Sequence, residues 1–201
     1  MATQRSGIFC LEGEWSDDLG DRTSVEPQLT MLSNMKFCSG VIHRNVATRD
    51  DLRFYTQKWL LKKYSRYSLA YFAFHGNQGC IQLGRDDLTL AELAEILGTR
   101  AEGRIIYFGS CETLAAHDDE LQGFCRSTGV RAIVGYTRYV DWLETAAFDF
   151  ILLPQLLDST YVKPIYNRLL RDHARFVTGL GFRMATATWA TPRKIALEAS
   201  G

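Results

Sequence analysis

Three short segments run apolar almost from end to end: "SLAYFAF" (Ser68 to Phe74), "RIIYFG" (Arg104 to Gly109) and "RAIVGY" (Arg131 to Tyr136). A strand with one face in water alternates apolar and polar residues. A strand that does not alternate must be covered on both faces, which is the condition of a largely parallel sheet sandwiched between helices. The segments between and around them have the helical period such a sheet needs. "RDDLRFYTQKWLLKKYS" places Leu52, Tyr55, Trp59 and Leu60 at helical spacing, with Asp50 or Asp51 as its cap. "LTLAELAEILG" ends on Gly98 and "DDELQGFCRSTG" closes at Gly129, each a glycine stop. Helical patterns return from Trp142 to Leu157 and over "YVKPIYNRLLRDHARF". "GIFCL" (Gly7 to Leu11) and "SGVIHRNVA" (Ser39 to Ala47) read as two earlier strands. "GCIQLG" reads as a short exposed hairpin, and "GLGFRMATATWA" as a final strand or irregular tail. The expected class is therefore α/β, a three-layer sandwich with a mostly parallel central sheet and helices on both faces.

Composition narrows the partners. Lysine plus arginine equals aspartate plus glutamate, 23 each, so no global basic field attracts nucleic acid or an anionic membrane. The local run "KWLLKKYSRY" reads as the solvated face of a helix. The 5 cysteines are odd in number, widely spaced and without a CxxC pair, which argues against a disulfide framework and a structural zinc site. The first residues, "MATQRSGIFCLEGEW", lack the apolar core of a secretory signal, and no apolar run is long enough to span a bilayer. With 201 residues, 4 prolines and no repeats, the expectation is one domain over residues 1–201, cytoplasmic, with reduced thiols.

Chemistry enters at two strand ends. "YFAFHGNQGC" runs four apolar residues into His75 and turns on Gly76, and "RIIYFG" is followed by "SCET", which carries Cys111. Taken singly, His75 reads as a core histidine beside a turn, and Cys111 as a small buried residue closing a strand. In an open parallel sheet, however, ligands and chemistry collect at the carboxyl ends of the strands. If the two strands are neighbours, about 4.8 Å apart, the side chains leaving their ends can meet as a thiol–imidazole pair. A cysteine that opens a helix also has its thiol pKa lowered by the helix N-terminus, whose free N–H groups can hold an oxyanion. Gly76, without a side chain, lets a substrate carbonyl approach its N–H.

The ordered series "YFAFHGNQGCIQLGRDDLTLAELAEILGTRAEGRIIYFGSCETL" resembles the core of the caspase-like cysteine peptidases, closest to the CHAT branch related to caspases and separases. "GVRAIVGYTRYVDWLETAAFDFILLPQL" continues the resemblance, which covers Tyr71 to about Leu157. Carried over residue by residue, it implies His75 as general base or acid, Cys111 as nucleophile, and the Gly76 and Cys111 N–H groups as the oxyanion hole. Phe74 and Leu114 depart from the branch, which often has glycine at both places. The resemblance further implies an endopeptidase without cofactor or metal, acting on a protein or peptide substrate, in a family often found in bacterial signalling and defence. No fused sensor domain is read in the chain, so an activating protein partner, oligomerisation or substrate supply is the expected trigger.

In that fold the P1 side chain enters a pocket bordered by loops after the first, third and last core strands. Here those loops are "EGEWSDDL", with Glu12, Glu14, Asp17 and Asp18, and "TRYVDW", with Tyr139, Asp141 and Trp142. Carboxylates there would select lysine or arginine at P1, while Tyr139 and Trp142 could wall an uncharged pocket. Cys10, Cys38, Cys80 and Cys125 read as structural, and His43, His117 and His173 lack a matching ligand pair. Two alternatives remain open. One is a catalytically silent caspase-like scaffold that binds a partner protein. The other is an α/β hydrolase using Ser110, which the absence of Gly-x-Ser-x-Gly spacing disfavours.

Overall fold

The computed structural model describes residues 6–193. Its centre is a six-stranded sheet of β1 (Ile8–Glu12), β2 (Val41–Asn45), β3 (Leu69–Ala73), β7 (Ile105–Phe108), β8 (Ala132–Tyr136) and β9 (Phe182–Ala185). In space the order is β2-β1-β3-β7-β8-β9, with every pair parallel except β8–β9. This is an α/β three-layer sandwich.

The absence of alternation in β1, β3 and β8 has the cause expected of it. Successive residues enter opposite apolar layers: Ile8 and Cys10 one, Phe9 and Leu11 the other; likewise Leu69 and Tyr71 against Ala70 and Phe72. The first layer is closed by α1 (Glu26–Asn34), α5 (Trp142–Asp158), α6 (Val162–Asp172) and α7 (Ala174–Gly179), through Leu29, Phe148, Ile165 and Val177. The second is closed by α2 (Arg49–Trp59), α3 (Leu90–Leu97) and α4 (Asp118–Thr128), through Leu52, Leu93 and Phe124. Each such side chain, fully buried, contributes about 1.5–3 kcal/mol of transfer free energy.

Helix boundaries follow local chemistry. Thr48, not Asp50 or Asp51, is the N-cap of α2; its side chain accepts from the Asp51 N–H while the Asp51 carboxylate accepts from the Thr48 N–H. Thr89 and Glu92 form the same box on α3. Gly98 (φ 55°) and Gly129 (φ 73°) end α3 and α4 in backbone regions that favour glycine.

Three expectations are corrected, and one helix is added. "GCIQLG" is no exposed hairpin but part of a three-stranded meander, β4 (Gly76–Asn77), β5 (Cys80–Leu83) and β6 (Asp86–Thr89). Cys80, Ile81, Leu83 and Leu88 are buried, because the meander roofs the second layer. The helix expected to run to Ser65 ends at Trp59 and resumes as a 3-10 turn. The helix expected over 161–176 breaks at His173 into α6 and α7. Finally, α1 went unread in the sequence, although Pro27 in its first turn and the buried Leu29 and Leu32 are its marks. Among the described residues no helix is long and apolar enough to cross a membrane.

Candidate active site

The parallel strands β1, β3, β7 and β8 deliver their carboxyl ends to one edge of the sheet. His75 leaves β3 there and Cys111 leaves β7. Counting from the paired Phe72 and Phe108, both stand three residues further on (75 − 72 and 111 − 108). The backbone of the first turn packs directly on the second. A Cβ placed on Gly76 would lie 2.6 Å from the Cys111 carbonyl oxygen, 2.6 Å from Thr113 Oγ1 and 2.8 Å from Ser110 Cβ. Position 76 is therefore closed to any side chain, whatever its N–H does. Gly76→Ala is expected to push the Ser110–Cys111 turn aside and to cost about 1–3 kcal/mol of stability. A shift in thermal midpoint together with altered Cys111 labelling would register it, and a variant with wild-type stability would contradict this packing.

Cys111 sits on a held turn. Glu112 takes a left-handed conformation (φ 55°), and residues 113–115 make a 3-10 turn before α4 begins at Asp118. The buried Arg183 of β9 secures this connection, donating to the carbonyls of Leu114 (2.9 Å), Ala116 (2.7 Å) and Thr191 (3.1 Å) and pairing with Asp118. So Cys111 does not open an α-helix, and the expected lowering of its thiol pKa is absent. Burial raises the thiol above its ordinary value, against a weaker opposing effect of the Val140 N–H, which donates to Sγ at 3.5 Å. At rest the group is a thiol.

His75 is exposed, and its Nε2 lies 3.1 Å from the backbone carbonyl oxygen of Trp15. A carbonyl only accepts, so this contact places the proton on Nε2 and leaves Nδ1 as the basic nitrogen. The Trp15 ring stands edge-on to His75, centroids 5.3 Å apart, and to Trp142, 4.8 Å apart.

A family model described as a family of unknown function, DUF6642, matches residues 5–185. The chain belongs to this family. No curated protein matches it. Within this member of DUF6642, Phe74 and Leu114 are each accommodated by a glycine. Phe74 lies against Gly13, whose Cβ would come within 2.7 Å of its ring, and Leu114 lies against Gly135, at 3.0 Å.

His75 and Cys111 open onto the same cleft, about 250 Å³, walled by Trp15, Tyr71, Phe74, Tyr139 and Trp142. Of the carboxylates expected there, only Asp141 arrives, and its Oδ1 accepts from the N–H groups of Leu143 (2.9 Å) and Glu144 (3.0 Å) as the cap of α5. Glu12 and Glu14 line a neighbouring groove with Asp17, Asp18 and Asp21. Glu12 is buried and spoken for: it accepts from Trp15 Nε1, Ser24 Oγ, the Val25 N–H and His43. Neither Glu12 nor Glu14 lines the cleft that His75 and Cys111 share.

The sequence reading missed the cleft's floor. Tyr71 and Gln28 both line it, and both donate to Asp149 of α5, at 2.7 and 2.8 Å. Asp149 is four residues from Leu153 and one from Phe148 on a buried helix face, which was its only mark in the sequence. The remaining cysteines, Cys10, Cys38, Cys80 and Cys125, are buried; burial pushes the Cys125 thiol up to about 12. Ser110 is buried with its hydroxyl turned toward the Phe72 carbonyl, 3.5 Å away. Among the described residues no three His, Cys, Asp or Glu side chains gather as a metal site requires.

Proposed function

We propose that this protein is a cysteine endopeptidase of the caspase-like, CHAT type, working in the cytoplasm on a protein or peptide substrate. The observation that carries the reading is the delivery of His75 and Cys111 to one cleft from adjacent strand ends, with Nε2 of His75 engaged by a backbone carbonyl. With the thiol protonated at rest, His75 acts as a general base. Nδ1 takes the Sγ proton as sulfur attacks the scissile carbonyl carbon, and the N–H groups of Gly76 and Cys111 receive the oxyanion. Collapse expels the amine, which takes the proton back from the imidazolium. Water, deprotonated by the same nitrogen, then releases the acid from the thioester and restores the thiol.

With Asp141 turned to its helix and the cleft walled by aromatic rings, an uncharged P1 residue fits better than a basic one. A second reading, a silent scaffold that binds a partner, is favoured by one observation: the raised thiol of Cys111. A peptide library incubated with the protein, then sequenced at new termini, decides between them. Cleavage after uncharged residues, lost in Cys111→Ala, is the expected result. A library left intact by the wild type removes the peptidase reading.

A further inference from the structure

The loop between β1 and α1 carries Trp15, and the Trp15 carbonyl is what His75 leans on. Much of this loop bonds only to itself. Asp18 receives the Gly20 N–H, Asp21 receives Thr23, and Leu19 projects fully into solvent. Its first residue is tied to β3, the Gly13 N–H donating to the Ala73 carbonyl at 2.9 Å, and beyond that the tie to the sheet is Glu12, the last residue of β1. One carboxylate oxygen accepts from Trp15 Nε1 at 2.6 Å and from the Val25 N–H at 2.7 Å. The other accepts from Ser24 Oγ at 2.6 Å and meets His43 Nε2 of β2 at 2.6 Å. Both ends of the loop and the neighbouring strand therefore converge on one carboxylate that is only 2% exposed. Glu12 is itself fixed as part of β1, its carbonyl accepting from the Val46 N–H at 2.8 Å.

We propose that Glu12 is the positioning residue of the site, holding the Trp15 indole so that the Trp15 carbonyl keeps His75 in the Nε2–H tautomer. The assignment rests on the peptidase reading for its consequence in rate, but not for its geometry. Glu12 touches no reacting atom; it acts through Trp15. Without it the indole loses its N–H acceptor and the carbonyl drifts. The imidazole can then carry its proton on Nδ1, where it cannot receive the one from Cys111. The burial of the carboxylate is offset by its hydrogen bonds. Desolvation alone would raise Glu12, yet the donors His43, Ser24, Trp15 and Val25 together hold it below the usual carboxylate range.

The test uses Glu12→Gln and Trp15→Phe. The second keeps an aromatic ring against His75 and Trp142 but removes the N–H. Nitrogen-15 spectra of the His75 ring are expected to show the Nε2–H tautomer in the wild type and a mixture in both variants. On the peptide that the library selects, kcat is expected to fall about 100-fold in each, the scale of a misplaced catalytic group, with KM little changed in Glu12→Gln, which leaves every wall of the cleft in place; Trp15 is itself a wall, so Trp15→Phe is read by kcat and the ring spectra. The double variant should lose no more than either single one, because both break the same link. A wild-type tautomer in either folded variant, or additive losses in the double variant, overturns the proposal. Should Glu12→Gln fail to fold, Trp15→Phe alone decides it. Should the wild type cleave no peptide, the peptidase reading falls while the ring spectra still decide the positioning role.

Discussion

Alanine at position 111 is expected to leave a folded protein with no measurable cleavage, and alanine at position 75 one slower by about 10²–10⁴-fold, the usual contribution of a general base. The two losses differ because Cys111 would form the covalent intermediate while His75 would only ease its formation. Neither residue supports the core. His75 is exposed, and Cys111 is half-buried, its sulfur accepting the Val140 N–H at 3.5 Å. Thermal midpoints should therefore stay near the wild type in both variants. Alkylation of Cys111 by iodoacetamide separates the chemistry further. Burial holds the proton on sulfur, so the thiolate fraction, and with it the rate, should still be climbing through pH 8 to 9. A rate already level at pH 6 would mean a preformed thiolate and would refute the general-base step. Retained cleavage by Cys111→Ala would refute the nucleophile.

The layered sheet was legible because its cause is one-dimensional. Residues that face alternate sides of a doubly covered strand must all be apolar, and "LAYFA" and "AIVGY" declare this without reference to anything else. The strand-end placement of His75 and Cys111 follows from the same reasoning, since where a strand stops can be read from where the apolar run stops. What failed to show were contacts made by backbone groups and by partners far apart in sequence. The Val140 N–H on the Cys111 sulfur could come from any residue but proline, so no side chain announces it. The carbonyl that receives His75 belongs to Trp15, 60 positions away. Glu12, Glu14 and Asp141 looked alike as acidic loop residues. Only the fold shows that one anchors a loop, one lines another groove and one caps a helix. The same gap explains the thiol: "SCET" before a helical pattern suggested a helix N-terminus, but a left-handed Glu112 and a 3-10 turn intervene.

Asp149 should make the protein lose stability as pH rises through neutrality, and Asp149→Asn should remove that loss. The carboxyl is fully buried, with Tyr71 (2.7 Å) and Gln28 (2.8 Å) donating to Oδ2 and Tyr107 (2.7 Å) to Oδ1, and Tyr107 in turn 2.5 Å from the Tyr136 hydroxyl. Among the described residues no ion pair involves it. Burial raises its pKa to about 7, against hydrogen bonds from Tyr107 and Tyr71 that pull it down. In the unfolded chain an aspartate titrates near 3.9. Between those two values the folded state keeps a proton that the unfolded state has released, so unfolding becomes easier with each unit of rising pH. The stabilisation is complete below about pH 4 and gone above about pH 7, on the order of 4 kcal/mol across the window from this group alone. Asparagine has no proton to lose. Denaturant midpoints of the two proteins should therefore diverge from pH 5.5 to pH 7.5, with the variant gaining about 2 kcal/mol relative to the wild type over that interval. A difference that stays constant with pH would show the carboxylate ionised throughout, its three donors outweighing burial. The result matters at the cleft, because the Tyr71 ring lies where a Cβ on Gly109 would be, 2.5 Å away, two residues before Cys111. A charge forced onto Asp149 tightens its pull on Tyr71, and so bears on the turn that carries the thiol.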